Sequence, residues 1–267
     1  MPQARVRDIV EIIENAAPPA LAETWDNTGL ALGRMDDPVK KIWTALDPLP
    51  LVVEAACKNN VDMLFTHHPL LIRPLKSLDL ATPMGAIISL AVRHNLTLYS
   101  AHTNLDKTRG GVNDILTQRL GLESEKDLVP GQADQPGLGR VARLPEPGAL
   151  EDVIARVKER LGLKWVRAVG NKNLQVDAIA LCSGSGSSLL PEFFASGAQV
   201  YLTGDMGYHH ARSVEDAGLA FIDVGHFASE HLMVEAMAHF IQEQCDAQGL
   251  DVITEPCSLE QDPFAIY

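Results

Sequence analysis

Apolar positions recur at helical spacing over residues 5–15, where Val6, Ile9, Val10, Ile12 and Ile13 share a face, and Pro18-Pro19 forbids continuation. The period then changes. Apolar runs of strand length near 42–46, 61–66 and 96–101 are separated by helix-length stretches at 50–58 and 82–94, the alternation of an α/β fold. Residues 123–140 carry Pro130-Gly131, Pro136-Gly137 and Gly139 among acidic residues with no clear period, which predicts a domain boundary. The alternation resumes with a strand at 138–144, a helix at 149–161, a strand at 176–182 and a helix at 188–196. Strands at 199–203 and 220–224 and one long helix from about 226 to 244 complete the pattern. The expected division is an N-terminal α/β domain, 1–130, and a C-terminal α/β domain, 131–267, whose last helix is free to pack back on the first.

The two halves resemble each other at one place. VDMLFTHH leads through a helix to LTLYSAHTNLD, and AQVYLTGDMGYHH leads through a helix to LAFIDVGHFASE. Strands ending at Thr66 and Thr203 run into His-bearing loops, and the following strands end in His102-x-x-x-Asp106 and His226-x-x-x-Glu230. This repetition predicts two similar α/β domains related by internal duplication, each offering ligands at a strand end, with a metal site in the cleft between them.

Composition narrows the function classes. Of 267 residues, 46% are hydrophobic and 21% charged, ordinary for a folded globular enzyme. The 22 basic against 35 acidic residues give a net charge of −13, which opposes non-specific binding to nucleic acid or anionic membrane. Four cysteines without CxxC spacing suit a reducing compartment. Arg7, Asp8 and Glu11 interrupt what a signal peptide would need as an apolar stretch, so cytoplasmic residence is expected. No apolar segment reaches the roughly 20 residues of a membrane span.

The chemistry-bearing residues are histidines and carboxylates. His67-His68-Pro69 closes an apolar strand, and on extended backbone the two rings would point to opposite sides, reaching two ions rather than chelating one. Two histidines capping a strand by hydrogen bonds would look the same in sequence. His226 and Glu230, four apart at a helix start, share a face, as would any ordinary surface pair. Counting is more informative. His67, His68, Asp106, His226 and Glu230 are five nitrogen and oxygen ligands of the kind that bind Zn, Fe, Mn, Co or Ni with little discrimination. If Glu230 bridges, each of two divalent ions receives three protein ligands and keeps open positions, the mark of a catalytic site.

Together TWDNTGLALG at 24–33, FTHHPL at 65–70, YSAHTNLD at 99–106, YLTGDMGYHHA at 201–211 and IDVGHFASE at 222–230 resemble the YbgI-type dinuclear-metal proteins, widely called homologues of GTP cyclohydrolase I type 2. The resemblance implies two similar α/β domains, toroidal hexamers and two metal ions per chain. It puts His68 and Asp106 on one ion, His67 and His226 on the other, and Glu230 on both. The long inserted domain of some members is missing here.

The expected activity is therefore that of a metal-dependent hydrolase acting on a small phosphorylated or nucleotide-like substrate, with GTP ring opening implied by resemblance alone. A ring-forming metal-binding interaction or chaperone protein without turnover is the alternative. His102, one helical turn before Asp106, and His209 are the candidate proton carriers. Asp205, Tyr208 and His210 are candidate substrate contacts, and Ser183–Ser188 is either a phosphate-holding loop or a flexible turn. Trp25-Asp26-Asn27 reads as a turn beside a buried indole.

Overall fold

The computed structural model describes residues 3–266 and divides into two compact units. The first comprises the chain up to Thr108 together with the residues from Met233 on, and the second is Arg109–Leu232. This corrects the boundary expected at 130. The stretch 123–140 is an antiparallel hairpin rather than a linker, and its charged composition is that of a sheet edge, where polar residues discourage pairing with other chains.

In the first unit, α1 (Val6–Ala16) buries all five of its periodic apolar residues and stops before the proline pair. There follow β1 (Gly29–Leu32), β2 (Lys41–Ala45), α2 (Pro50–Lys58), β3 (Met63–Thr66), α3 (Pro83–Arg93), β4 (Thr97–Ser100) and α4 (Thr103–Lys107). Pro50 and Pro83 open their helices, where the missing N–H costs nothing, and Thr82 caps α3 by accepting from the Gly85 N–H at 3.1 Å. Sheet order is β1-β4-β3-β2-β11, with β4, β3, β2 and β11 (Ile253–Pro256) parallel and β1 antiparallel at the edge. Every residue of β3 and β4 is buried, as central strands of a covered parallel sheet require.

The second unit contains α5 (Val112–Arg119), β5 (Glu123–Val129), β6 (Leu138–Ala149), α6 (Leu150–Leu161), β7 (Arg167–Val169), β8 (Gln175–Ser185), α7 (Leu190–Ser196), β9 (Val200–Gly204), α8 (Tyr208–Asp216), β10 (Ala220–Asp223) and α9 (His226–Glu230). Its sheet runs β5-β6-β8-β9-β10-β7, with β8, β9 and β10 parallel. Its fully buried Arg140 is held by the carboxylates of Asp114 and Asp127 and by the carbonyls of Gly137 and Gly139, each at 2.9 Å.

The single long helix expected from 226 is two. Past Leu232 the chain leaves the second unit, and the rest of α10 (Leu232–Ala247) belongs to the first, where the Val234 carbonyl accepts from Thr44 Oγ1 at 2.7 Å. Each unit thus contains a parallel strand pair, β3–β4 or β9–β10, whose ends carry the suspected ligands. Among the described residues, no helix is long and apolar enough to cross a membrane.

Candidate metal centre

In the first unit the histidine pair lies just past the end of β3, where the chain bends. The His67 and His68 amides donate to the Ala45 and Leu46 carbonyls at 3.2 and 2.9 Å, and Thr66 Oγ1 donates to the His68 carbonyl at 2.8 Å. The bend corrects the expectation of diverging rings. His67 and His68 lie 5.1 Å apart, and His102, beyond β4, lies 5.1 and 5.6 Å from them. Each of the three offers a ligand atom within 4.8 Å of the others.

All three rings are oriented in the same way. His67 Nδ1 lies 3.0 Å from the Ala101 carbonyl, His68 Nδ1 2.7 Å from Asp47 Oδ1, and His102 Nδ1 2.9 Å from Asp26 Oδ1. These oxygens only accept, so each ring is held as the tautomer with its proton on Nδ1. Backing of this kind is what metal-ligating histidines have. His67 Nε2 lies 3.5 Å from Asp106 Oδ1. Asp47 is itself anchored, since its amide and that of Leu46 donate to the buried Glu260 carboxylate at 2.7 and 2.8 Å.

The turn expected at Trp25-Asp26-Asn27 is present, but its indole is not buried. Trp25 is 61% exposed, whereas the Asp26 side chain is buried. Burial alone would raise its pKa, but hydrogen bonds from His102 and Thr103 outweigh that effect and hold the carboxyl well below the usual range.

In the second unit His226 opens α9 after Gly225, whose φ of +85° suits glycine, and Glu230 stands one turn later. His226 Nδ1 lies 2.7 Å from Asp205 Oδ2 and its Nε2 2.9 Å from Glu230 Oε2. Asp205 follows β9 at φ +55°, an uncommon conformation for a non-glycine residue. Its carboxylate holds the His226 ring, a role its sequence position did not suggest.

Glu230 is buried against Gly184, and a Cβ there would intrude on Oε1 and stand 3.1 Å from Cδ. The Gly184 amide donates to Ser229 Oγ at 2.9 Å, that of Ser183 to Asn113 Oδ1 at 2.9 Å, and that of Gly186 to Thr203 Oγ1 at 3.0 Å. The amides of residues 183, 184 and 186 therefore already have protein acceptors, which speaks against a phosphate there, and Ser183–Ser185 is the bulged end of β8 rather than a flexible turn. His209 and His210 are exposed in the first turn of α8, and the His209 ring packs on exposed Tyr208 at 5.4 Å.

The donors fit divalent cations. With metal–ligand bonds of about 2.1 Å, neighbouring ligands of one ion stand roughly 3.0–3.4 Å apart, and the imidazole–carboxylate pairs His67–Asp106 and His226–Glu230, at 3.5 and 2.9 Å, lie just above and just below that spacing. The sequence named these residues as candidate donors but did not name Asp47 or Asp26 as partners of the histidines, because such pairing depends on contacts distant in the chain.

The profile of DUF34/NIF3, the NGG1p interacting factor 3 family, matches residues 4–263. A Clostridium perfringens protein named GTP cyclohydrolase 1 type 2 homolog is 33% identical over 264 residues, covering 97% of this chain and 98% of that one. A solved Bacillus cereus protein related to NIF3 superposes with a TM-score of 0.92 at 25% identity over the whole of both chains. The solved protein ybgI, titled as of unknown function, shares the fold with a TM-score of 0.80 at 20% identity over 94% of this chain and 97% of that one. With residues 4–263 matched by the family profile and its fold shared, this chain belongs to the DUF34/NIF3 family.

Proposed function

We propose that the chain is a dinuclear metal-dependent hydrolase acting on a small phosphorylated or nucleotide-like substrate. His67, His68, Asp106, His226 and Glu230 would hold two divalent ions, with Glu230 shared. The observation that carries this reading is the uniform backing of the imidazoles: His67, His68 and His226 each have Nδ1 tied to an oxygen, and the carboxylates of Asp106 and Glu230 face Nε2 of His67 and His226. The second unit's pair, one imidazole and one carboxylate, is too small to complete a site alone, which favours joint action with the first unit's donors. The 3.5 Å contact of His67 with Asp106 favours these two on one ion, whereas the family resemblance pairs Asp106 with His68.

Bound divalent ions would supply Lewis acidity and activation of water. The protein's own contribution is orientation and proton transfer. Asp47 and Asp205 fix the tautomers of His68 and His226, and Gly184 leaves room for the Glu230 carboxylate. His102, its Nδ1 held by Asp26, is placed to carry a proton on Nε2, and His209 is the second candidate. The relatives' GTP cyclohydrolase names support a nucleotide-like substrate, and the family resemblance supports a ring of six chains. The words "interacting factor" in the family description favour a second reading, a metal-binding interaction protein without turnover.

Metal analysis of reloaded, desalted protein, followed by a screen of nucleotides and phosphoesters with Glu230→Ala as control, tests the proposal. Two ions per chain and turnover lost in Glu230→Ala are expected. One ion or none overturns the dinuclear centre, and two ions without turnover across the screen favour the second reading.

A further inference from the structure

We propose that Trp25 is the stacking platform of a binding subsite for a planar nitrogen heterocycle beside the first unit's histidine cluster. The inference rests on the reading of that cluster as a substrate-binding metal centre. Trp25 is 61% exposed, although a tryptophan buries more apolar surface than any other residue when a fold has a place for it. The other two tryptophans differ. Trp43 is half-buried with its Nε1–H donated to Glu255 at 2.9 Å, and Trp165, though 46% exposed, makes none of the ring contacts found among the described residues, whereas Trp25 meets His102.

The exposed indole sits on a rigid turn. The Glu23 amide donates to Thr103 Oγ1 at 2.9 Å, and the Asp26 carboxylate accepts from the Thr103 amide at 3.0 Å, from its hydroxyl at 2.5 Å and from His102 Nδ1 at 2.9 Å. The Asn27 amide returns to Asp26 Oδ1 at 2.8 Å, and its side-chain NH2 donates to the Leu71 carbonyl. With the turn tied down at Glu23 and Asp26, only two side-chain torsions of Trp25 need ordering when a ligand arrives, so little of the stacking energy is lost to entropy. The turn is also fixed to the cluster itself, because Asp26 is the group that orients His102.

Position selects the kind of ligand. The indole meets His102 edge-on, centroids 6.1 Å apart at 78°, and His102 adjoins His67 and His68. A flat ring laid on the indole would therefore stand in the neighbourhood of His102, with its remaining substituents directed toward the cluster. An indole face accepts any planar π-system and contributes nothing comparable to a sugar phosphate alone.

The test uses full-length, metal-loaded protein with guanosine 5′-monophosphate, adenosine and riboflavin as planar probes and ribose 5-phosphate as the ringless control. Saturable quenching of wild-type tryptophan emission by a planar probe, absent in Trp25→Phe, is expected. By calorimetry Trp25→Ala should bind that probe roughly 5- to 150-fold more weakly, Trp25→Phe should recover most of the loss, and ribose 5-phosphate affinity should stay unchanged. Metal content is measured on the same samples, so failure of the wild type to load metal counts against the metal centre rather than against Trp25. Metal-loaded protein that binds no planar probe, or a Trp25→Ala variant that binds it as the wild type does, overturns the proposal. A fall in sedimentation mass of Trp25→Ala with probe binding intact also overturns it, and reassigns the indole to a contact between copies of the chain.

Discussion

Replacing Gly184 by alanine separates backbone strain from damage to the metal centre. Gly184 has φ +62°, so any side chain there pays the left-handed penalty of about 1–2 kcal/mol. Gly218 has φ +69° with no atom within 4 Å of an added Cβ, and Gly218→Ala pays that penalty alone. At Gly184 the same methyl intrudes on Glu230 Oε1 and stands 3.1 Å from Cδ and 3.3 Å from His226 Nε2. Restoring ordinary contact requires the buried carboxylate to retreat by on the order of 1 Å, while metal–ligand distances tolerate only about 0.2 Å. Both variants should lose roughly 2–4 °C of Tm per kcal/mol of strain when measured in chelator. Only Gly184→Ala should also lose metal affinity, by more than the 10- to 100-fold typical of residues that support a ligand. Competition against a chromophoric chelator reads the affinity. If the two variants bind metal equally well, Glu230 is not a ligand in the way argued.

The supporting shell and the framework give three further expectations. Asp205→Asn keeps a side chain that tolerates positive φ but loses the charge behind His226, so metal affinity should fall about 10- to 100-fold with Tm unchanged in chelator, and an unchanged affinity would refute the orienting role. Arg140→Ala strands the carboxylates of Asp114 and Asp127 and should cost about 3–5 kcal/mol by urea titration, whereas a loss under 1 kcal/mol would show that the network is dispensable. All four cysteines are buried free thiols, and burial, followed by the nearby Asp246 charge, pushes Cys245 up to about 11. A disulfide reagent at neutral pH should label none in the native protein and four in denaturant, and rapid native labelling would contradict this packing.

The amino-acid sequence by itself determined the elements with the strongest periodicity: α1, α2, α3 and α6, and the buried central strands β2, β3, β4, β8, β9 and β10. Their patterns are legible because two buried faces or one continuous apolar stripe demand an unbroken set of apolar side chains. The metal-ligand candidates were legible for a related reason, since few other roles require histidine and carboxylate at fixed offsets from a strand end. Edge strands β1, β5, β7 and β11 left no such trace, being short or half-exposed. The domain boundary was misplaced because a charged edge hairpin and a linker have the same composition. Only the tertiary structure decided that Asp47, Asp26 and Asp205 stand behind histidines, that Gly184 makes room for Glu230, and that Trp25 lies outside the core. Each of these facts is a contact across 21 to 76 residues of chain or a matter of exposure, and both are set by how the sheets pack rather than by local pattern.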